Sequence, residues 1–233
     1  MPRARLTTLF AKLPRAGEVK TRLCPPLSAL EAAGLAEAML ADGLARCLAT
    51  NEFRTQLAVH PPGSEPWFRA RFPELQDILA QQGADLGQRL AAHFEQAFAR
   101  ERLASAVVLG SDGPEIPLER VLEAHQRLED GADLVLGPDA GGGYYLVGLR
   151  RPCGALFTEV EMSQPGMYAR TLELARDRRL IAAELVPGWD VDTPADLERL
   201  RSRARAARGA ELVEVRRWFA RYDERGASLT AVP

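Results

Sequence analysis

The chain has 233 residues, of which 46% are hydrophobic, and it carries 30 Lys and Arg against 32 Asp and Glu for a formal net charge of -2. This length and composition are typical of a globular protein, and one α/β domain is the simplest interpretation. Because positive and negative charges nearly balance, the overall electrostatic field of the protein would not hold it on nucleic acid or on an anionic membrane. Any basic binding site must therefore be local. No stretch approaches the roughly 20 apolar residues of a membrane span.

The cysteines indicate a reducing compartment. Cys24, Cys47 and Cys153 match neither a disulfide framework nor the paired spacing of a zinc site. A second observation concerns secretion, because the apolar patch near the first residue is too short to be the core of a signal peptide. We therefore expect a cytoplasmic protein.

Strand-like apolar runs alternate with helical periodicities along the chain, which predicts an α/β fold with a mostly parallel sheet flanked by helices. The predicted strands are 6–10, 55–60, 77–81, 104–110, 132–136, 144–149 and 181–186. The predicted helices are 28–49, 67–72, 85–100, 118–128, 165–178 and 194–207. In such sheets ligands bind at the carboxyl ends of the strands.

Residues 1–208 are assigned to the main domain and residues 209–233 to a C-terminal extension. Leu212, Val215, Trp218 and Phe219 are spaced as one apolar helix face. We expect this helix to dock on the domain or on a second subunit, which would make a homodimer.

Positive charge is concentrated in residues 10–23, FAKLPRAGEVKTRL, here called the basic segment. Gly17 would let backbone amides approach a ligand, and Lys12, Arg15, Lys20 and Arg22 supply charged donors, a combination that can hold a pyrophosphate. The spacing is not that of a P-loop. A solvated basic loop is the alternative.

Three aspartates follow predicted strands or extended segments. Asp112 comes directly after the strand 104–110, where a carboxylate can face the ligand crevice and hold Mg²⁺, although it could instead cap a helix. Asp190 and Asp192 alternate along an extended segment and so share one side of it. Thr193 is the better cap for the following helix, with Asp196 at its first turn. The sequence therefore predicts an enzyme that binds a metal and a nucleoside di- or triphosphate.

Five motifs in order, FAKLPRAGEVKTRL, QQGADLGQRL, LGSDGPEIP, GPDAGGGYYLVGL and WDVDTPADL, resemble a bacterial family of GT-A-like nucleotide-diphospho-sugar transferases. Some of its members are assigned as glycosyltransferases of arsenosugar biosynthesis. The family is similar in fold to the molybdenum-cofactor and 2-phospholactate guanylyltransferases. The resemblance implies a three-layer GT-A-like fold over residues 1–208, with a mostly parallel mixed sheet between helices.

The resemblance also implies roles for individual residues. The residues implied to bind the nucleotide phosphates are Lys12, Gly17, Lys20 and Arg22, and those implied to line its base and ribose are Gln82, Gly83, Asp85 and Arg89. The residues implied to hold Mg²⁺ or Mn²⁺ are Asp112, Asp190 and Asp192, which together with Lys20 form the implied catalytic set. The residues implied to face the acceptor are Gly142, Gly143, Tyr144 and Ser163.

The chain departs from the family pattern mainly on the acceptor side. Gly141 stands where an Asp is usual, Gly113 where a Cys is common, and the run EMSQP (161–165) replaces a Trp-Ser-Thr run. This pattern favours a different acceptor or a weakened activity.

Three functional hypotheses follow. The first is a metal-dependent glycosyltransferase that takes a nucleotide-activated sugar as donor and a small molecule as acceptor. The second is a nucleotidylyltransferase that transfers a nucleoside monophosphate from a nucleoside triphosphate to a small phosphorylated acceptor. The third is a nucleotide-binding protein whose activity is weakened or lost.

Overall fold

The computed structural model describes residues 4–164 and 166–230, and for residues 225–230 it describes the backbone alone. These residues form two compact units. The first unit comprises the chain up to Leu13, Cys47–Gly110 and Ile116–Trp189, and the second comprises Pro14–Arg46, Ser111–Glu115 and the chain from Asp190 onward. The units interleave along the sequence, and the predicted boundary between residues 208 and 209 lies inside the second unit.

The first unit contains a seven-stranded sheet in the order β3-β2-β1-β4-β6-β5-β7. Its strands are β1 Ala4–Lys12, β2 Arg54–His60, β3 Ile78–Ala80, β4 Leu103–Gly110, β5 Leu134–Pro138, β6 Tyr144–Leu149 and β7 Ala182–Glu184. β6 runs antiparallel to β4 and β5, and the other neighbouring pairs are parallel. The predicted mostly parallel mixed sheet is confirmed.

The helices follow the predicted order with local differences. They are α1 Ala29–Leu48, α2 Glu65–Arg71, α3 Leu86–Arg100, α4 Leu118–Glu129, α5 Ala155–Thr158, α6 Met167–Asp177, α7 Pro194–Ala206 and α8 Val213–Thr230. The four-residue α5 and a 3-10 turn at Thr21–Leu23 were not predicted. β7 is shorter than the predicted strand 181–186. It lies at the sheet edge and pairs only with β5, and Ile181 and Val186 at the ends of the predicted strand are exposed.

Helices cover both faces of the sheet in the first unit. On one face α3, α5 and α6 pack on alternate strand residues such as Leu6 and Val108, and the Phe94 and Phe157 rings stack with centroids 5.4 Å apart. On the other face His125 of α4 hydrogen bonds to Thr7 of β1. The first unit is therefore a three-layer α/β sandwich, as expected for the predicted fold.

His125 lies in a fully buried polar network. Its Nε2 lies 2.9 Å from Thr7 Oγ1, and its Nδ1 lies 2.8 Å from Ser105 Oγ. All three side chains are fully buried. A buried imidazole with two hydroxyl partners has its polar atoms satisfied without carrying a charge.

The second unit is helical, and a capping contact joins α1 to the start of α8. The buried carboxylate of Asp42 on α1 accepts hydrogen bonds from Glu214 N at 2.9 Å and Val215 N at 3.0 Å, so it binds the otherwise unpaired amides at the start of α8. Trp218 of α8 lies beside Gly34 of α1. The C-terminal segment thus contains a helix that packs on α1.

The predicted cap of α7 is confirmed. Thr193 Oγ1 accepts from Asp196 N, and the Asp196 carboxylate accepts from Thr193 N at 2.8 Å, which is a capping box.

Among the helices of the described residues, none combines the length and the hydropathy that a membrane-spanning segment needs.

Candidate functional site

The basic segment of the sequence ends in a tight turn in the second unit. Lys20 has φ 49° and ψ 34°, in the left-handed region, and it precedes the 3-10 turn Thr21–Leu23. Leu23 N donates to Lys20 O at 2.9 Å, and the Leu23 side chain is completely buried. A left-handed conformation at a residue other than glycine costs about 1 kcal/mol and is concentrated at functional sites. The fold therefore holds the backbone of Lys20 in a defined conformation.

The Lys20 ammonium lies between two of the predicted aspartates. Lys20 Nζ is 2.8 Å from Asp112 Oδ1 and 3.0 Å from Asp192 Oδ1. We call these three residues the lysine–aspartate cluster. All three were predicted site residues, and all three belong to the second unit.

Backbone contacts bring the two aspartates together. Val191 N donates to Asp112 O at 3.0 Å, which ties the segment after β4 to the segment before α7. Asp192 immediately precedes the N-cap Thr193, and its own N–H donates to Asp196 Oδ2 at 3.2 Å. Arg46 of α1 donates to Pro114 O and so anchors the 111–115 segment. The positions of both aspartates are therefore set by the main chain around them.

The cluster combines a buried cation with accessible anions. The Lys20 side chain is 5% exposed, whereas those of Asp112 and Asp192 are 49% and 48% exposed. Burial alone would lower the pKa of Lys20, but the charges of Asp112 and Asp192 and their hydrogen bonds outweigh it, and the pKa is raised. The ammonium is therefore charged at neutral pH, and both carboxylates can still be reached by a ligand.

The donor set fits a Mg²⁺ or Mn²⁺ ion that is bound together with a phosphate. Among residues 4–164 and 166–230, no three or more His, Cys, Asp or Glu side chains are grouped closely enough to hold a metal ion. The predicted trio of Asp112, Asp190 and Asp192 does not form such a group. Mg²⁺ in phosphate-handling enzymes, however, commonly uses one or two carboxylates and takes its other ligands from substrate phosphates and water. Two half-exposed carboxylates meet that requirement.

The first unit contains a cavity of about 830 Å³ beside the start of α3. Asp85 and Arg89, predicted to line the base and ribose, lie on its wall together with Ser163, predicted to face the acceptor. Phe157 and Met162 supply apolar surface. The fold thus brings predicted residues from separate parts of the sequence to one cavity.

Structural contacts already engage three of the predicted base and ribose residues. Asp85 is the N-cap of α3, where Oδ1 accepts from Gln88 N at 2.8 Å. Gly83 has φ +133°, and a Cβ there would lie 2.7 Å from Gln88 Cβ, so only glycine fits. Gln82 is exposed and accepts a hydrogen bond from Gln96. The ligand role of these residues stays a prediction.

The glycine loop, residues 139–143, connects β5 to β6 beside the segment that holds Ser163. Tyr168 N donates to Gly142 O at 3.1 Å, and a Cβ on Gly142 would lie 3.3 Å from Gly166 N. Tyr144 donates its hydroxyl to Met162 Sδ at 3.4 Å, and burial raises the pKa of its phenol. The predicted acceptor residues therefore lie near one another in the first unit.

Asp139 shapes this loop and was not among the predicted site residues. Its Oδ1 accepts from Gly141 N at 2.6 Å and from Gly143 N at 3.0 Å. An aspartate that accepts from the amide two residues later is a known turn former, so the sequence Asp-Ala-Gly contains a signal for this contact. The carboxylate fixes where the loop amides point.

The remaining predicted phosphate ligands are divided between the units. Gly17 and Arg22 are exposed residues of the second unit, and Gly17 has φ +82°. Lys12 is the exposed last residue of β1 in the first unit. Their part in binding phosphate stays a prediction.

Comparison with known families gives one match. Residues 43–164 match the bacterial family described as "Uncharacterized protein conserved in bacteria (DUF2064)". The comparison with curated proteins gives no match.

Solved structures share the fold. A protein from Desulfovibrio desulfuricans G20, assigned as a nucleotide-diphospho-sugar transferase, is 30% identical with a TM-score of 0.84, covering 94% of this chain and 96% of its own. A cytidylyltransferase from Leptospira borgpetersenii is 12% identical with a TM-score of 0.58, over 100% and 99% of the two chains. The 4-diphosphocytidyl-2C-methyl-D-erythritol synthase from Anaerococcus prevotii is 11% identical with a TM-score of 0.57, over 87% and 99%. The last two are similar to this chain in fold alone.

Proposed function

Since this chain belongs to the bacterial DUF2064 family, we propose that it is a metal-dependent glycosyltransferase that uses a nucleotide-activated sugar as donor and a small molecule as acceptor. The predicted family is confirmed, and the predicted transferase class agrees with the assignment of the D. desulfuricans protein. The observation that carries the proposal is the lysine–aspartate cluster, where Lys20 Nζ lies within 3.0 Å of carboxylate oxygens of Asp112 and Asp192. A cation and two accessible carboxylates in one place match the needs of a metal-bound diphosphate.

In this proposal the two carboxylates hold the metal. Asp112 and Asp192 would bind Mg²⁺ or Mn²⁺, and phosphate oxygens and water would supply the other ligands. The ion would supply positive charge that stabilises the departing nucleoside diphosphate. Lys20 would donate to the phosphate oxygens, as would Arg22 and the amides around Gly17.

In the first unit the proposal assigns the remaining predicted residues to binding and orientation. Gln82, Gly83, Asp85 and Arg89 would contact the base and ribose. Gly142, Gly143, Tyr144 and Ser163 would contact the acceptor, with amides of the glycine loop as donors. Positioning of this kind accounts for a large part of the rate in transfer reactions, and the proposal requires no separate general base.

A nucleotidylyltransferase is the second candidate. The two lysines, Lys12 and Lys20, together with Arg22 in the basic segment favour it, because a departing pyrophosphate needs more positive charge to stabilise it. The same cluster would then hold the metal-bound triphosphate.

Product analysis tests these candidates. The purified protein is incubated with a panel of nucleotide sugars and nucleoside triphosphates plus Mg²⁺ or Mn²⁺, with a pool of small hydroxylated and phosphorylated acceptors. Metal-dependent release of a nucleoside diphosphate supports sugar transfer, and release of pyrophosphate supports nucleotidyl transfer. Saturable nucleotide binding without either product would contradict both and favour a nucleotide-binding protein. A parallel reaction with Asp192→Asn controls for contaminating hydrolases.

A further inference from the structure

We propose that the Lys20 ammonium competes with the divalent metal for the carboxylates of Asp112 and Asp192. The metal then binds tightly only after the ammonium has shifted its contacts from the carboxylates to the nucleotide phosphates. This inference rests on the proposed function and adds an order of binding to it: nucleotide binding creates the metal site.

The first argument is geometric. Lys20 Nζ is in hydrogen-bonding contact with one oxygen of each carboxylate, at 2.8 Å from Asp112 and 3.0 Å from Asp192. Mg²⁺ binds carboxylate oxygens at about 2.0–2.1 Å. An ion on those same oxygens would therefore occupy the space that the ammonium fills.

The second argument concerns charge. Two carboxylates and one ammonium leave the cluster with a formal charge of only -1. A divalent cation within about 4 Å of the ammonium would be strongly repelled, because both charges are positive and the protein screens them less than bulk water does. Because Lys20 is only 5% exposed, little water screens this repulsion. The cluster with Lys20 in place is therefore a poor site for a divalent ion.

The third argument is the choice of residue. The chain contains 30 Lys and Arg residues, but only Lys12 and Lys20 are lysines, and both lie in the basic segment. A compact ammonium on a flexible stem has three donors that can turn from one anion to another, whereas a planar guanidinium favours a fixed pairing. Lys20, one of the two lysines, therefore lies where the proposal requires a cation that can move from the carboxylates to a phosphate.

The consequence is coupling between the two ligands. Once phosphate oxygens attract the ammonium, Asp112 and Asp192 regain a charge of -2 for the metal. Since such coupling is reciprocal, the metal must increase nucleotide affinity by the same factor. Removing the ammonium should therefore strengthen metal binding without nucleotide and weaken the coupling.

Mn²⁺ binding measured by electron paramagnetic resonance tests this without an activity assay. We expect Lys20→Met to bind Mn²⁺ about tenfold more tightly than the wild type in the absence of nucleotide. Lys20→Asn, which tolerates a left-handed backbone better, provides a second variant in case the methionine disturbs folding. The matched control is Arg127→Met, which removes one charge from an exposed residue of α4 paired with Glu123 and should leave Mn²⁺ affinity within twofold of wild type.

The same titration is repeated with ADP, CDP, GDP and UDP. An effective nucleotide should tighten Mn²⁺ binding to the wild type at least fivefold more than to Lys20→Met. Equal Mn²⁺ affinity of wild type and both folded Lys20 variants without nucleotide would overturn the competition while leaving the proposed transferase intact. Failure of every protein to bind Mn²⁺ with any nucleotide would overturn the metal-dependent function itself.

Discussion

Lys20 and Asp192 are 172 positions apart in the chain, yet Lys20 Nζ lies 3.0 Å from Asp192 Oδ1. The same ammonium reaches Asp112 at 2.8 Å. This contact joins the segments that carry the predicted cation and two of the predicted acids, and it makes the role of each side chain testable by substitution.

Neutralising either carboxylate should impair turnover. We expect Asp112→Asn and Asp192→Asn each to reduce kcat/KM by about 100-fold, because a neutral amide stabilises a metal-bound diphosphate far less than a carboxylate does. Steady-state kinetics on the substrate identified by product analysis would measure this loss.

The matched control for this prediction is Asp130→Asn, which changes an exposed carboxylate at the end of α4. Its kinetics should equal those of the wild type. If both cluster variants retain full kcat/KM while folding normally, the assignment of the carboxylates to the metal is wrong.

Removing the Asp139 carboxylate should loosen the glycine loop. In Asp139→Ala, Gly141 N and Gly143 N lose their acceptor, at an expected cost of about 1 kcal/mol in the free energy of unfolding. Hydrogen exchange of these two amides should accelerate, whereas Asp139→Asn keeps an acceptor oxygen and should show a smaller effect. Unchanged exchange in the alanine variant would mean that the backbone alone holds the loop.

Two buried histidines should make the protein sensitive to acid. Burial lowers the pKa of His125 to about 3 and that of His93 to about 4, whereas an unfolded chain has a value near 6.5. Below about pH 6.5 the unfolded chain binds protons that the folded chain does not bind. The free energy of unfolding should therefore fall progressively as the pH drops from 6.5 toward 4, as urea denaturation at several pH values would show.

His93→Phe isolates one part of this effect. His93 packs edge-on against Phe10 with ring centroids 5.2 Å apart, and within the described residues its buried Nε2 has no hydrogen-bond partner. A phenyl ring therefore suits the site and removes the titrating group. The fall in unfolding free energy between pH 6.5 and pH 4.5 should be smaller in this variant than in the wild type, and an unchanged fall would show that His93 does not contribute.

Gly188→Ala should destabilise the fold by crowding Tyr145. A Cβ at residue 188 would lie 2.5 Å from Tyr145 Cδ1 and 2.8 Å from Ile116 Cδ1. Overpacking of this kind costs about 1–3 kcal/mol, which a lower thermal unfolding midpoint would reveal. Gly110→Ala is the control, since its Cβ would lie 3.6 Å from Tyr145 O in ordinary contact, and equal midpoints for the two variants would contradict the argument.

The elements of the fold could be predicted well from the sequence because their signals are local. Strands and helices appear as periodicities over a few residues, and the Thr193–Asp196 capping box depends on residues three positions apart. The short α5 could not be predicted in this way. It packs beside Gly87 of α3, where a Cβ would collide with Phe157 O, and its four residues are too few to show a period.

The sequence by itself determined the order of the strands and of all helices but α5, the cap of α7, and the segments that carry the candidate chemistry. Only the tertiary structure decided that the Lys20 ammonium lies between Asp112 and Asp192, that these two acids and Asp190 form no three-carboxylate group, and that Asp139 holds the glycine loop. The physical reason is distance along the chain. A periodicity reports interactions between near neighbours, whereas contact between Lys20 and Asp192 requires the intervening segments to be folded, and the charges it brings together cannot be read from spacing.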